Sequence, residues 1–217
     1  VLGNHDYHDN LGGEKVQLAY SAQGGTRWTM PAKWYRKDLG QLATFLFLDT
    51  NVRSVSGSSK TKDGKVVKKP CLTEEEETAQ WSWLKAELAK PHGTYLIVVG
   101  HHPVYSNGLH GDSKELVKTL APMLQEAGVH LYLCGHDHDL QHLELEGLKT
   151  SFVLSGGGGA RVRELPNKTR KMPFGTAVYG FSHLQMNSQR LIVRHLDANA
   201  KQIHAFEKAA SYGWKEV

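Results

Sequence analysis

Apolar, strand-like runs in this chain end repeatedly in polar loops that carry histidine, and that pattern constrains the fold more than any other feature of the sequence. Residues 95–99 are a short, continuous, β-branched run, as a strand covered on both faces requires, and they stop at Gly100-His101-His102-Pro103. Residues 129–134 behave the same way and stop at Gly135-His136-Asp137-His138. At the front, Val1-Leu2 reads as the end of a strand entering the loop Gly3-Asn4-His5-Asp6. In open α/β sheets ligands bind beyond the carboxyl ends of the strands, so the three loops are expected to converge on one edge.

The segments between these runs fit the same plan. Residues 43–48 are strand-like and end at Asp49-Thr50-Asn51, and 53–70, rich in Ser, Gly and Lys without periodicity, reads as a solvated loop. Thr73-Glu74-Glu75-Glu76 is a capping box, predicting a helix through Trp81, Leu84 and Leu88 that stops near Pro91. Ser113 caps a second predicted helix carrying Leu116, Val117, Leu120 and Leu124 toward a stop at Gly128. The tail changes character: 151–154, 177–186, 191–196 and 203–206 read as strands with short connections, an antiparallel set such as a meander.

Composition excludes several classes. No apolar run approaches the ~18–20 residues of a membrane-spanning helix. Lys plus Arg 26 against Asp plus Glu 22 leaves a net charge of +4, too weak to argue for nucleic acid but favourable to small anionic substrates. Two cysteines make no disulfide framework, whereas 13 histidines stand out. The run Gly156 to Gly159 lacks the Lys-Ser/Thr of a nucleotide-phosphate loop and reads as a closely packed turn. Trp28, Trp34, Trp81 and Trp83 read as packing residues, and His142, His183, His195 and His204 as ordinary surface or hydrogen-bonded positions.

The chemistry lies in the loops. His136 and His138 place two imidazoles at i and i+2 in a turn, donors suited to Zn, Fe or Mn, although such a pair alone is equally a surface turn. A second imidazole loop at His101-His102 and an amide oxygen at Asn4 strengthen the metal reading, with spacing leaving open which of His101 and His102 points inward. Because closed structural zinc sites are usually rich in cysteine, this donor set points to a catalytic site.

Gly3-Asn4-His5-Asp6, Val98-x-x-His101 and Gly135-His136-x-His138, in that order, resemble the last three of five motif blocks of the calcineurin-like metallophosphoesterases. The runs 100–106 and 133–141, with Gln80-x-x-Trp83-Leu84 and Val153-Leu154-Ser155-Gly156, are similar to the tartrate-resistant type of purple acid phosphatase. The resemblance implies an α/β, four-layer α/β/β/α sandwich and a single catalytic domain over 1–217. It makes Asn4, His101 and His136 ligands of a divalent metal (Fe, Zn or Mn), His138 a ligand of Fe(III), and His5 and His110 the histidines that contact phosphate. The family's first two blocks, which supply a bridging Asp and a Tyr, are not in this sequence. The reading is therefore of an N-terminally truncated chain lacking roughly one βαβαβ half, on the order of 60–100 residues. By itself such a chain is expected to bind metal weakly and hydrolyse little. His102 stands where a Tyr is common, and Leu109 where the mammalian type has an acidic residue.

The activity implied is hydrolysis of phosphate monoesters by metal-bound hydroxide at a dinuclear centre. Small phosphorylated compounds or phosphoproteins are the implied substrates and inorganic phosphate the product, with no nucleic acid or membrane partner and a secreted or extracytoplasmic location. Two alternatives stand beside it: a broader metallophosphoesterase acting on diesters or nucleotides, and a non-catalytic metal-binding remnant.

Overall fold

A computed structural model describes residues 1–9 and 12–217. In chain order the elements are α1 (Asn4–His8), α2 (Gly13–Ala22), β1 (Tyr35–Leu39), β2 (Ala43–Phe47), α3 (Arg53–Ser56), β3 (Ser58–Lys60), β4 (Val66–Lys68), α4 (Glu74–Leu88), β5 (Tyr95–Val99) and α5 (Lys114–Glu126). They continue as β6 (Leu131–Cys134), β7 (Leu140–Leu143), β8 (Ser151–Ser155), β9 (Phe174–Thr176), β10 (Gly180–Met186), β11 (Arg190–Asp197), β12 (Gln202–Ala209) and β13 (Trp214–Glu216).

Seven strands form one sheet in the order β1-β2-β5-β6-β8-β7-β9, and β10 to β13 form a four-stranded antiparallel meander. Strands β2, β5, β6 and β8 run parallel, so their carboxyl ends share one edge. The period of two sorts their side chains. Leu96 and Val98 of β5 face a core with Leu84 of α4 and Leu116, Leu120 and Leu124 of α5, while Tyr95 and Ile97 face Leu191, Val193 and Phe206 of the meander. Helices, large sheet and small sheet thus stack as three layers, α/β/β, of the four-layer arrangement.

Both predicted helix starts are present. Thr73 Oγ1 accepts from Glu76 N at 3.2 Å while Glu76 Oε2 accepts from Thr73 N at 3.0 Å, and Ser113 Oγ accepts from Leu116 N at 3.4 Å. Two turns into α4, the buried Gln80 accepts from Asp49 N at 2.8 Å and donates to Asp49 O at 3.0 Å. The amide thereby fixes the chain where it leaves β2.

Several expectations need correction. The segment 53–70 is not all loop: α3 and a β3/β4 hairpin occupy it, paired through Ser58↔Lys68, Ser59↔Val67 and Lys60↔Val66. Every residue of the two strands is exposed, so no apolar alternation marks them. The run at 151–154 belongs to the large sheet, parallel to β6, and not to the antiparallel tail. Residues 1–3 are not strand; the loop carrying Asn4 opens directly into α1, with Leu2 O accepting from the Asn51 amide at 3.2 Å. Trp28 is 47% exposed and fills no core.

The C-terminal histidines divide. His183 is exposed, whereas His142, His195 and His204 are buried between the sheets. His142 stacks on Phe206 with centroids 3.6 Å apart, its Nδ1 lies 3.1 Å from His204 Nε2, and Phe174 stacks on His204 at 4.6 Å. His195 and His204 stand opposite each other in the β11/β12 register, on the face that Val193 and Phe206 turn toward the core.

Candidate metal centre

The three histidine loops meet at the carboxyl edge of the large sheet, in a cleft of about 370 Å3. Asn4, His5, His101, His110, His136 and His138 all line it. At its centre three donor atoms form a small triangle. His101 Nε2 lies 2.9 Å from Asn4 Oδ1 and 3.2 Å from His136 Nδ1, and His136 Nδ1 lies 3.3 Å from Asn4 Oδ1.

Each corner is held by its own framework. Asn4 opens α1, which Tyr7 pins to the end of β2 through a 2.6 Å bond to Asp49. His101 follows β5, and Thr50 Oγ1 accepts from its backbone N–H at 3.1 Å. His136 follows β6 with φ +69°, a left-handed conformation costly for a residue with a Cβ and found mainly where surrounding structure enforces a functional placement.

Burial of the rings, with neighbouring imidazoles adding to it, pulls His101 down to about 4 and His136 down to about 3. Near neutrality both rings are therefore uncharged and able to offer lone pairs. The adjacent pair is also settled: His101 faces the triangle. His102 is buried beside it, its Nδ1 2.9 Å from Thr50 Oγ1, which already accepts from the backbone N–H of both histidines and so donates to the ring.

The donor triangle fits a transition-metal ion. Ligand atoms held ~2.0–2.1 Å from one ion stand about 2.8–3.0 Å apart in octahedral and about 3.3–3.4 Å apart in tetrahedral geometry, a span that contains the observed separations. His138 lies in the same cleft with its Nδ1 donating to Arg161 O at 2.8 Å, which leaves the lone pair of the ring on Nε2.

The segment after β8 closes over His138. Arg163 N donates to His138 O at 3.0 Å, and Gly156 packs so tightly that a Cβ there would stand 1.7 Å from Asp137 O, as the closely packed turn requires. Arg163 lines the cleft and is, among the described residues, its only lining residue with a fixed charge. Nothing in the sequence singled it out. His5 is the most exposed of the lining histidines, its side chain 73% exposed and its Nδ1 2.5 Å from Asp9. His110 is 41% exposed, its ring centroid 4.2 Å from that of His136, with Nδ1 2.6 Å from the buried Asp137.

A mixed sheet whose central parallel strands carry imidazole donors on their end loops, with an amide donor brought to the same edge by α1, defines a metallophosphoesterase fold. Residues 1–140 match the calcineurin-like phosphoesterase family, and the chain belongs to it. Human tartrate-resistant acid phosphatase type 5 is 34% identical over 94% of this chain, and Arabidopsis thaliana purple acid phosphatase 7 is 30% identical over 94%. The chain spans 64% and 62% of the lengths of these two relatives. A purple acid phosphatase from yellow lupin seeds shares the fold, with TM-score 0.69 and 18% identity over 95% of this chain and 39% of that one.

Proposed function

We propose that the protein hydrolyses phosphate monoesters at a dinuclear centre of Fe(III) and a divalent metal, as an acid phosphatase of the purple type. The observation that carries this reading is the triangle of Asn4 Oδ1, His101 Nε2 and His136 Nδ1 within 3.3 Å. Those three residues would hold the divalent ion and His138 the ferric one. When bound, such a centre supplies an activated water and clamps the phosphoryl oxygens for in-line displacement.

The protein's own groups do the rest. Asn4 orients its amide oxygen into the site from a helix fixed by Tyr7. His101 and His136, kept neutral by burial, stay available as donors instead of competing with protons. His5 and His110 neutralise charge on the transferred phosphoryl and protonate the departing alkoxide. Arg163, the lining cation, favours dianionic substrates. Small phosphorylated compounds or phosphoproteins are the substrates, inorganic phosphate is the product, and the setting is secreted or extracytoplasmic. No helix among the described residues is long and apolar enough to cross a membrane.

Kinetics on p-nitrophenyl phosphate and bis(p-nitrophenyl) phosphate, with the full-length protein loaded with iron and zinc, test the reading. The monoester is expected to have the higher kcat/KM; a preference for the diester moves the protein to the phosphodiesterases, and no metal-dependent turnover of either removes catalysis.

A further inference from the structure

The groups behind His110 form a chain of hydrogen bonds whose direction cannot reverse. It starts at a backbone donor: Asn107 N–H gives its hydrogen to Gln141 Oε1 at 2.8 Å, which fixes the amide so that Gln141 Nε2 donates. Gln141 Nε2 donates to Ser106 Oγ at 3.0 Å, and Gly108 N donates to the same oxygen at 2.9 Å. With its lone pairs occupied, Ser106 can only donate, and its hydroxyl lies 2.5 Å from Asp137 Oδ2. The other carboxylate oxygen, Oδ1, accepts from His110 N at 3.0 Å and faces His110 Nδ1 at 2.6 Å.

Ser106, Asn107, Asp137 and Gln141 are all 0% exposed. The 106–110 loop closes over the carboxylate so tightly that a Cβ on Gly108 would stand 2.5 Å from Asp137 Oδ2. Water therefore has no room to re-orient the chain.

We infer that Asp137, backed by Ser106 and Gln141, is a positioning residue that locks the His110 ring with its hydrogen on Nδ1 and leaves Nε2 as the nitrogen presented to the cleft. The buried carboxylate offers only lone pairs to the ring, because both of its oxygens already take hydrogens from donors that cannot turn around. One oxygen grips both the backbone and the ring of His110, so the ring's rotation is restrained together with its tautomer. His5 lacks such a backing, since its partner Asp9 is 60% exposed. The inference rests on the phosphatase reading only for what Nε2 then does: the ring, once it has taken up a proton there, hands that proton to the leaving oxygen. Asparagine at 137 breaks the chain. If its oxygen keeps the two His110 hydrogens, its NH2 meets Ser106 Oγ, already accepting twice; if it flips, it donates to Nδ1 and moves the ring hydrogen to Nε2.

Two measurements on Asp137→Asn and Ser106→Ala test this, the second variant being a control that keeps the carboxylate. Nitrogen-15 spectra of the metal-free chain, taken at alkaline pH where histidine is neutral, should show the Nδ1–H form of His110 in the parent and in Ser106→Ala, and a shift toward Nε2–H in Asp137→Asn. An Nε2–H form in the parent, or an Nδ1–H form kept in Asp137→Asn, overturns the inference, whether or not the protein is a phosphatase. In the metal-loaded protein, Asp137→Asn should lower kcat for an alkyl phosphate by about a hundredfold, the scale of a lost general acid. For p-nitrophenyl phosphate, whose leaving group needs no proton, the loss should be about tenfold or less. Equal losses for the two leaving groups overturn it as well, while absence of turnover in the parent protein counts against the phosphatase reading and leaves the spectra to decide the positioning role.

Discussion

Tyr7 on α1 donates its phenolic hydrogen to Asp49 at the end of β2 over 2.6 Å, joining residues 42 apart in sequence. Both are buried, and burial pushes the Asp49 carboxyl up while Asn51 and Tyr7 hold it down. This bond ties the helix that carries Asn4 to the sheet that carries His101.

Tyr7→Phe removes that hydrogen and leaves Asp49 Oδ2 without a donor in a buried site. The expected loss of stability is about 1–3 kcal/mol, read as a lower urea midpoint with an unchanged slope. Because α1 loosens with it, affinity for a divalent metal should fall about tenfold, as when a supporting contact behind a ligand is lost. A fall in stability with no change in metal affinity would show that α1 does not position Asn4.

The buried histidines between the sheets set an acid limit. Burial, with His204 and His142 nearby, drags His195 down to about 3, and burial lowers His142 and His204 too. These rings are neutral in the folded chain, while in the unfolded chain each takes up a proton below about 6.5. Folding thus excludes protons, and the stability each ring contributes is complete above about 6.5 and is lost as pH falls toward its folded value, at up to about 1.4 kcal/mol per pH unit. Glu144 beside His142 and Glu216 beside His204 moderate the loss, and Lys208 adds to it at His142. Among the described residues His195 faces Phe174, Ser182 and the other two rings, and its Nε2 has no hydrogen-bond partner there. His195→Phe should therefore hold its Tm better than the parent between pH 7 and pH 5. Parallel Tm curves for the two proteins would contradict this.

Among the described residues, Arg163 carries the only fixed charge in the cleft lining. Arg163→Ala should weaken inhibition by inorganic phosphate about tenfold or more, the worth of one charge-assisted hydrogen bond, with a smaller loss for Arg163→Lys. Unchanged phosphate inhibition would place the guanidinium outside the binding site.

The parts legible in the sequence were those governed by local chemistry. Thr73 with Glu76, and Ser113 before an apolar face, announce helix starts that the structure contains, and the strand-end histidines do converge. What escaped depended on pairing across the fold. β1 (Tyr-Arg-Lys-Asp-Leu) is a charged edge strand, and β7 (Leu-Gln-His-Leu) is buried at every position, so neither alternates visibly. His195 follows Leu191 and Val193 at steps of two, a spacing that puts it on the core face. Residue type argued for a surface or hydrogen-bonded position; register buried the ring, where Ser182 meets its Nδ1 at 2.9 Å. Arg163 left no trace because it reaches the site through a loop folded back on His138.

The measurement that bears most directly on the central claim is a titration with Co(II), followed by its visible absorption and by calorimetry, on the parent protein and on Asn4→Ala, His101→Ala and His136→Ala. The account predicts a saturable site whose affinity falls by more than about a hundredfold in each variant, beyond the effect of losing a supporting contact, with the histidine variants also changing the ligand-field bands. Binding that is unchanged in all three variants would mean that the triangle of Asn4, His101 and His136 is not the metal centre.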